Sequence, residues 1–148
     1  MIRIVVADDN KVLLEHIVKA LKKSDKIEVV GIANDGEEEL KYIMQFNPDV
    51  VITDIEMPKK TGVEVIEIVK EFEKVPEFIV ITGGASVDIM KKLYSLPVKN
   101  IYNKPVDMEK LVNEIESITE NESKEEIINS KLAEENNLFK KIVSFFKK

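Results

Sequence analysis

Four short apolar runs in this chain each lead into residues that can do metal or phosphoryl chemistry. Ile4-Val5-Val6-Ala7 runs into Asp8-Asp9, and Val50-Val51-Ile52-Thr53 into Asp54. Phe78-Ile79-Val80-Ile81 runs into Thr82, and Ile101-Tyr102-Asn103 into Lys104-Pro105. Three carboxylates, a hydroxyl and an ammonium make a set of hard oxygen donors with one cation beside them. Brought into one crevice, they suit a divalent metal and the transfer of a phosphoryl group. An aspartate oxygen is weakly nucleophilic in water, yet it can form an acyl phosphate when a donor is held in line. Each residue alone has a plainer reading: Asp8-Asp9 as a helix cap, Asp54 as a loop acid, Thr82 as a turn hydroxyl, Lys104 as a surface lysine. Their joint occurrence at strand ends is what argues for a site.

The elements that must position them alternate between two periods. Short Val- and Ile-rich runs, separated by helical stretches, mark strands buried on both faces of a parallel sheet. After Asp9, Asn10 caps a helix with Leu13, Leu14, Ile17, Val18 and Leu21 at helical spacing. Ile27 to Ala33 reads as a second strand. Asp35-Gly36 and three glutamates open a second helix, with acids at the positive end of its dipole. Leu40, Ile43 and Met44 form its expected buried stripe. Val50–Thr53 is the third strand, and Val65, Ile66 and Val69 the inner face of a third helix. Phe78–Ile81 is followed by a helix capped by Ser86, with Ile89, Met90 and Leu93 inward. Ile101–Asn103 is followed by a helix capped by Asp107, with Leu111, Ile115 and Ile118. Tyr42 and Tyr94 read as packing residues. The fold class is α/β: a (βα)5, doubly wound, flavodoxin-like parallel sheet with expected order 2-1-3-4-5 and right-handed crossovers. In such sheets function collects beyond the carboxyl ends of the strands, where Asp9 and Asp54 flank the switch point.

At this point the sequence resembles the receiver domain of bacterial two-component response regulators, the CheY-like family. The resemblance covers residues 1–120 and rests on Asp8-Asp9, Asp54, Met57-Pro58 with Gly62, Thr82, and Lys104-Pro105, in order and at the family's spacing. It implies that Asp54 is the phosphoacceptor, receiving a phosphoryl group from a sensor histidine kinase or a phosphotransfer protein. It implies Mg²⁺ (or Mn²⁺) held directly by Asp9, Asp54 and the backbone carbonyl of Glu56, and by Asp8 through water. It further implies that Thr82 and Lys104 bind phosphate oxygens, that Gly83 leaves room for the phosphoryl group, and that the Lys104–Pro105 peptide is cis. The expected output is a shift of an α4-β5-α5 surface that engages an output partner or a second copy. Such a domain is a switch with at most slow self-hydrolysis, not a turnover enzyme. One position departs from the family. Most receivers place an aromatic three residues before the lysine; here that residue is Ile101, and Tyr102 faces the opposite way along the strand.

Composition bounds the alternatives. The chain has 148 residues, 44% hydrophobic and 34% charged, with no cysteine and a net charge of -6. That describes a globular domain without disulfides or thiolate metal sites, expected in the cytoplasm. An acidic body argues against direct nucleic-acid binding. An aspartyl-nucleophile phosphatase of the haloacid-dehalogenase type would carry a second aspartate two residues after the first, plus a cap domain, and neither is evident. The Ala-Asp-Asp-Asn start also occurs in receivers of sporulation-type transcription factors, so the receiver part of a truncated DNA-binding regulator is the alternative. Residues 121–148 form an expected helical tail, with Ile128, Leu132, Phe139, Ile142 and Phe146 along one side. Dimerisation, a linker to an output domain, or membrane docking through its basic apolar end are its competing roles.

Overall fold

The computed structural model describes residues 1–118 and residue 140. By spatial clustering the chain divides into Met1–Asn113 and Glu114–Lys148. The expected tail, residues 121–148, lies outside the described residues except for Lys140, which is helical and exposed.

Strands and helices alternate along the first unit. β1 is Ile2–Ala7, α1 Lys11–Lys22, β2 Ile27–Ala33, α2 Gly36–Phe46 and β3 Val50–Asp54. α3 is Gly62–Val69, β4 Glu77–Thr82, α4 Val87–Tyr94 and β5 Val98–Asn103. A fifth helix, α5, covers residues 108–118. All neighbouring strands are parallel, in the order β2-β1-β3-β4-β5. The three central strands are almost wholly buried, which explains why they lack the apolar–polar alternation of a half-exposed sheet.

One face of the sheet carries Val5, Val51 and Val80 against Ile43 of α2, Val65, Ile66 and Val69 of α3, and Leu93 of α4. Alternate residues Ile4, Val6, Ile52, Ile79 and Ile81, also buried, point to the other face. Leu14, Ile17, Val18 and Leu21 are the buried positions of α1. No helix among the described residues is long and apolar enough to cross a membrane.

Start signals behave as their chemistry dictates. Asn10 accepts from the Val12 and Leu13 N–H groups, Asp35 from Glu38, Ser86 from Ile89 and Asp107 from Lys110. Thr61 and Glu64 form a reciprocal capping box at α3.

Three expectations need correction. Met44 is 62% exposed, and Glu39 takes its place on the buried face of α2 with Gly36 and Ile43. At about 100° of rotation per residue, Gly36, Glu39 and Ile43 lie within about 60° of one another, and position 44 is turned about 100° from their centre. Tyr94, at the end of α4, is 79% exposed rather than packed. β5 begins at Val98, not Ile101, because an edge strand tolerates polar Lys99 and Asn100. A register shift there pairs Phe78 with Val98 but Ile79 with Asn100, leaving Lys99 as the extra residue.

Candidate functional site

The carboxyl ends of β1 and β3 place Asp8, Asp9 and Asp54 together. One oxygen from each lies within 4.8 Å of the others. Asp8 and Asp54 are buried, whereas Asp9 is exposed. The Asp8 carboxylate is oriented by the turn that follows it, since the Asn10 N–H donates to Oδ1 at 2.8 Å. Asn10 thus both caps α1 and fixes its neighbouring acid. Asp8 Oδ2 is buried without a hydrogen-bond donor, although the Lys104 ammonium stands 3.4 Å away as an ion pair. Lys104 Nζ donates to Asp54 Oδ2 at 3.0 Å, while the Glu56 N–H points at Asp54 Oδ1 at 3.4 Å.

Electrostatics follow from this crowding. Burial, with the neighbouring Asp54 charge adding to it, pushes the Asp8 carboxyl above its ordinary value despite the opposing Asn10 N–H and Lys104. Burial works against the Lys104 ammonium, but Asp54 and Asp8 together outweigh it and hold its pKa above the usual lysine value. The cluster therefore carries more acid than its one lysine neutralises. An all-oxygen donor set with an orphaned carboxylate oxygen fits a hard divalent cation such as Mg²⁺ or Mn²⁺.

Thr82 ends β4 and is buried. The Gly84 N–H donates to its Oγ1 at 3.1 Å, so the hydroxyl proton is left to donate elsewhere. The Lys104 N–H donates to the Thr82 carbonyl at 2.9 Å, tying the β4 and β5 ends together. The Lys104–Pro105 peptide is cis. A Cβ added at Gly83 would come no closer than 4.0 Å to Lys104, so Gly83 borders open space. Gly84, with φ of 145°, occupies backbone that favours glycine. Ile101 packs toward the core face shared with α4, and Tyr102 is buried on the alternate side. Glu56 is exposed, two residues past the end of β3.

Glu39 escaped the sequence reading. The sequence groups it with Glu37 and Glu38 as a dipole-facing acid, but it is completely buried, with Oε2 at 3.1 Å from Thr53 Oγ1. Burial pushes its carboxyl well above the ordinary value, the Thr53 hydroxyl opposes this, and the Asp54 charge adds to it. The available signal was its position between Gly36 and Ile43 on one helical stripe. Gly36 was equally unmarked: a Cβ there would lie 2.0 Å from the Lys60 carbonyl oxygen.

Comparison with known proteins agrees with the geometry. Residues 4–116 match the family described as response regulator receiver domain. The protein-glutamate methylesterase/protein-glutamine glutaminase of Lawsonia intracellularis is 40% identical over 80 residues, 54% of this chain and 22% of that protein. A protein-glutamate methylesterase/protein-glutamine glutaminase of Methanospirillum hungatei is 32% identical over 107 residues, 71% of this chain and 31% of that protein. This chain spans less than a third of the length of those relatives. The signal receiver domain of the response regulator NarL from Mycobacterium tuberculosis is 27% identical, with a TM-score of 0.74, covering 80% of this chain and 96% of that one. A match that runs from β1 into α5 takes in every strand that builds the acidic crevice, and on that ground this chain belongs to the response regulator receiver family.

Proposed function

We propose that this receiver is a phosphoacceptor switch in which Asp54 takes a phosphoryl group from the phosphohistidine of a sensor kinase or phosphotransfer protein. The observation that carries this reading is the convergence of Asp8, Asp9 and Asp54 with Lys104 Nζ at 3.0 Å from the acceptor carboxylate. An Asp54 oxygen attacks phosphorus, the P–O bond forms as the P–N bond breaks, and the imidazole nitrogen leaves with the electron pair and is protonated. A divalent cation on Asp8, Asp9 and Asp54 would neutralise the phosphoryl oxygens and relieve the repulsion among the three acids. Lys104 supplies a point charge for another phosphoryl oxygen. Thr82 keeps a hydroxyl proton to donate to a third, since its oxygen already accepts from Gly84.

This chemistry modifies the protein rather than turning over a substrate. The signal then passes to α4 and β5, which Thr82 and Lys104 border directly. That face exposes Val87 and Tyr94, apolar surface suited to a partner or a second copy. Incubation with acetyl phosphate and Mg²⁺ is expected to add one phosphoryl mass, seen by intact-protein mass spectrometry. Asp54→Asn is expected to add none. Equal modification of the Asn variant would remove Asp54 from this role.

A further inference from the structure

The first turn of α2 is fastened to the segment carrying Asp54 at three separate points. Lys59 Nζ pairs with the N-cap Asp35 at 3.5 Å, and the Gly36 N–H donates to the Pro58 carbonyl at 3.3 Å. The third point is Glu39, whose Oε2 lies 3.1 Å from Thr53 Oγ1 at the end of β3. Thr53 Oγ1 in turn lies 3.2 Å from the backbone carbonyl oxygen of Asp54. That carbonyl is itself tightly boxed, because a Cβ at residue 62 would come within 2.2 Å of it and within 3.0 Å of Thr53 Oγ1.

A threonine hydroxyl has one proton, yet two oxygens stand within hydrogen-bond reach of Thr53. With Glu39 ionised, the hydroxyl must choose between carboxylate and carbonyl. With Glu39 neutral, its Oε2–H donates to Thr53 Oγ1 and the threonine proton goes to the Asp54 carbonyl, so both contacts are satisfied at once. Burial favours that neutral form, and no lysine or arginine contributes to the environment of the Glu39 carboxyl. The second oxygen, Oε1, has no hydrogen-bond partner, so the group is poorly served as a structural element alone. An apolar side chain would fill this place on the α2 stripe without stranding a polar atom.

We propose that Glu39 is a positioning residue for Asp54: by donating to Thr53 it completes a chain of hydrogen bonds, Glu39 to Thr53 to the Asp54 carbonyl, that holds the acceptor carboxylate in line for phosphoryl transfer. The proposal rests on Asp54 being the phosphoacceptor. Small displacements of a reacting group are costly to an in-line reaction, which is why a contact two side chains away reaches the rate.

The test compares Glu39→Gln, Glu39→Ala, Thr53→Val and the Glu39→Ala/Thr53→Val double variant. The rate of acyl-phosphate formation from acetyl phosphate with Mg²⁺ is read beside the backbone amide NMR signals of Ile55 and Gly62 in metal-free protein. Glu39→Ala and Thr53→Val are each expected to slow phosphorylation about tenfold and to shift both amides, and the double variant to be no slower than either. Glutamine still carries a donor, so Glu39→Gln is expected to stay within about twofold of the parent rate with its amides in place. Normal phosphorylation in Glu39→Ala, additive losses in the double variant, or a Gln variant as slow as the Ala variant would each overturn the proposal. Should Glu39→Ala fail to fold, a slowed Thr53→Val beside an unimpaired Glu39→Gln supports it, and any other pairing overturns it. If the parent is never phosphorylated while the amides respond as expected, the phosphoacceptor reading fails and the Glu39–Thr53 link stands.

Discussion

At the scale of single residues, the decisive property is how burial changes the worth of a carboxyl group. Asp8, Glu39 and Asp54 are all buried, yet their surroundings differ. Asp8 has the Asn10 N–H and shares the Lys104 ammonium with Asp54, whereas Glu39 has one hydroxyl. Glu39 therefore binds its proton more tightly in the folded chain than its ordinary value of 4.5. A carboxyl with a raised folded pKa contributes stability that is fully present below its unfolded pKa and is lost as pH rises through the folded pKa. The parent is thus expected to lose stability relative to Glu39→Gln as pH rises from about 4.5 upward, levelling off once the folded group has ionised. Urea denaturation of both proteins across that range measures the difference directly. Asp8 pushes in the same direction but is common to both, so it cancels. Parallel stability curves would show that Glu39 ionises as freely in the folded chain as in the unfolded one.

At the scale of elements, the loop from Ile55 to Thr61 owes its shape to close backbone approach rather than to turn chemistry alone. Gly36 opens α2 directly beneath the Lys60 carbonyl, and backbone atoms on both sides leave little room to yield. Gly36→Ala is expected to cost about 1–3 kcal/mol. Gly83→Ala, whose new Cβ meets nothing closer than 4.0 Å, is expected to change stability by less than about 0.5 kcal/mol. Chemical denaturation of the pair checks the contrast, and a harmless Gly36→Ala would mean that α2 and the loop slide apart freely. Helix starts were the most legible elements, because Asn10, Ser86 and Asp107 act through contacts only two or three residues away. The start of β5 was not, since its polar Lys99 and Asn100 are admitted only by its place at the sheet edge.

At the scale of the whole molecule, the sheet exists to hold like charges against their preference. Two buried aspartates and an exposed third, with one lysine between them, leave net negative charge in the crevice. A cation that binds only the folded crevice must stabilise the fold. At a concentration one hundred times its dissociation constant, Mg²⁺ is expected to add about 2.7 kcal/mol, visible as a rise in melting temperature. Asp9→Asn is expected to lose most of that rise, and an unchanged melting temperature in the parent would show that the cluster holds no ion.

The division between what sequence and tertiary structure determined follows the range of the forces involved. Alternation of Val- and Ile-rich runs with helical stripes was enough to specify five parallel strands, because burying apolar surface depends on pattern more than on detail. Polar residues at the strand ends, set at the spacing of the receiver family, were enough to mark Asp8, Asp9, Asp54, Thr82 and Lys104 as candidates, and the fold gathers the three acids and the lysine. The role of Glu39 was decided only in three dimensions. Its neighbours in sequence are two exposed or half-exposed glutamates, and only its register with Gly36 and Ile43 on one helical stripe sets it apart from them. Only the packing of α2 onto β3 removes its water and presents Thr53 in exchange, turning an ordinary surface acid into a buried group one residue from Asp54's own strand position.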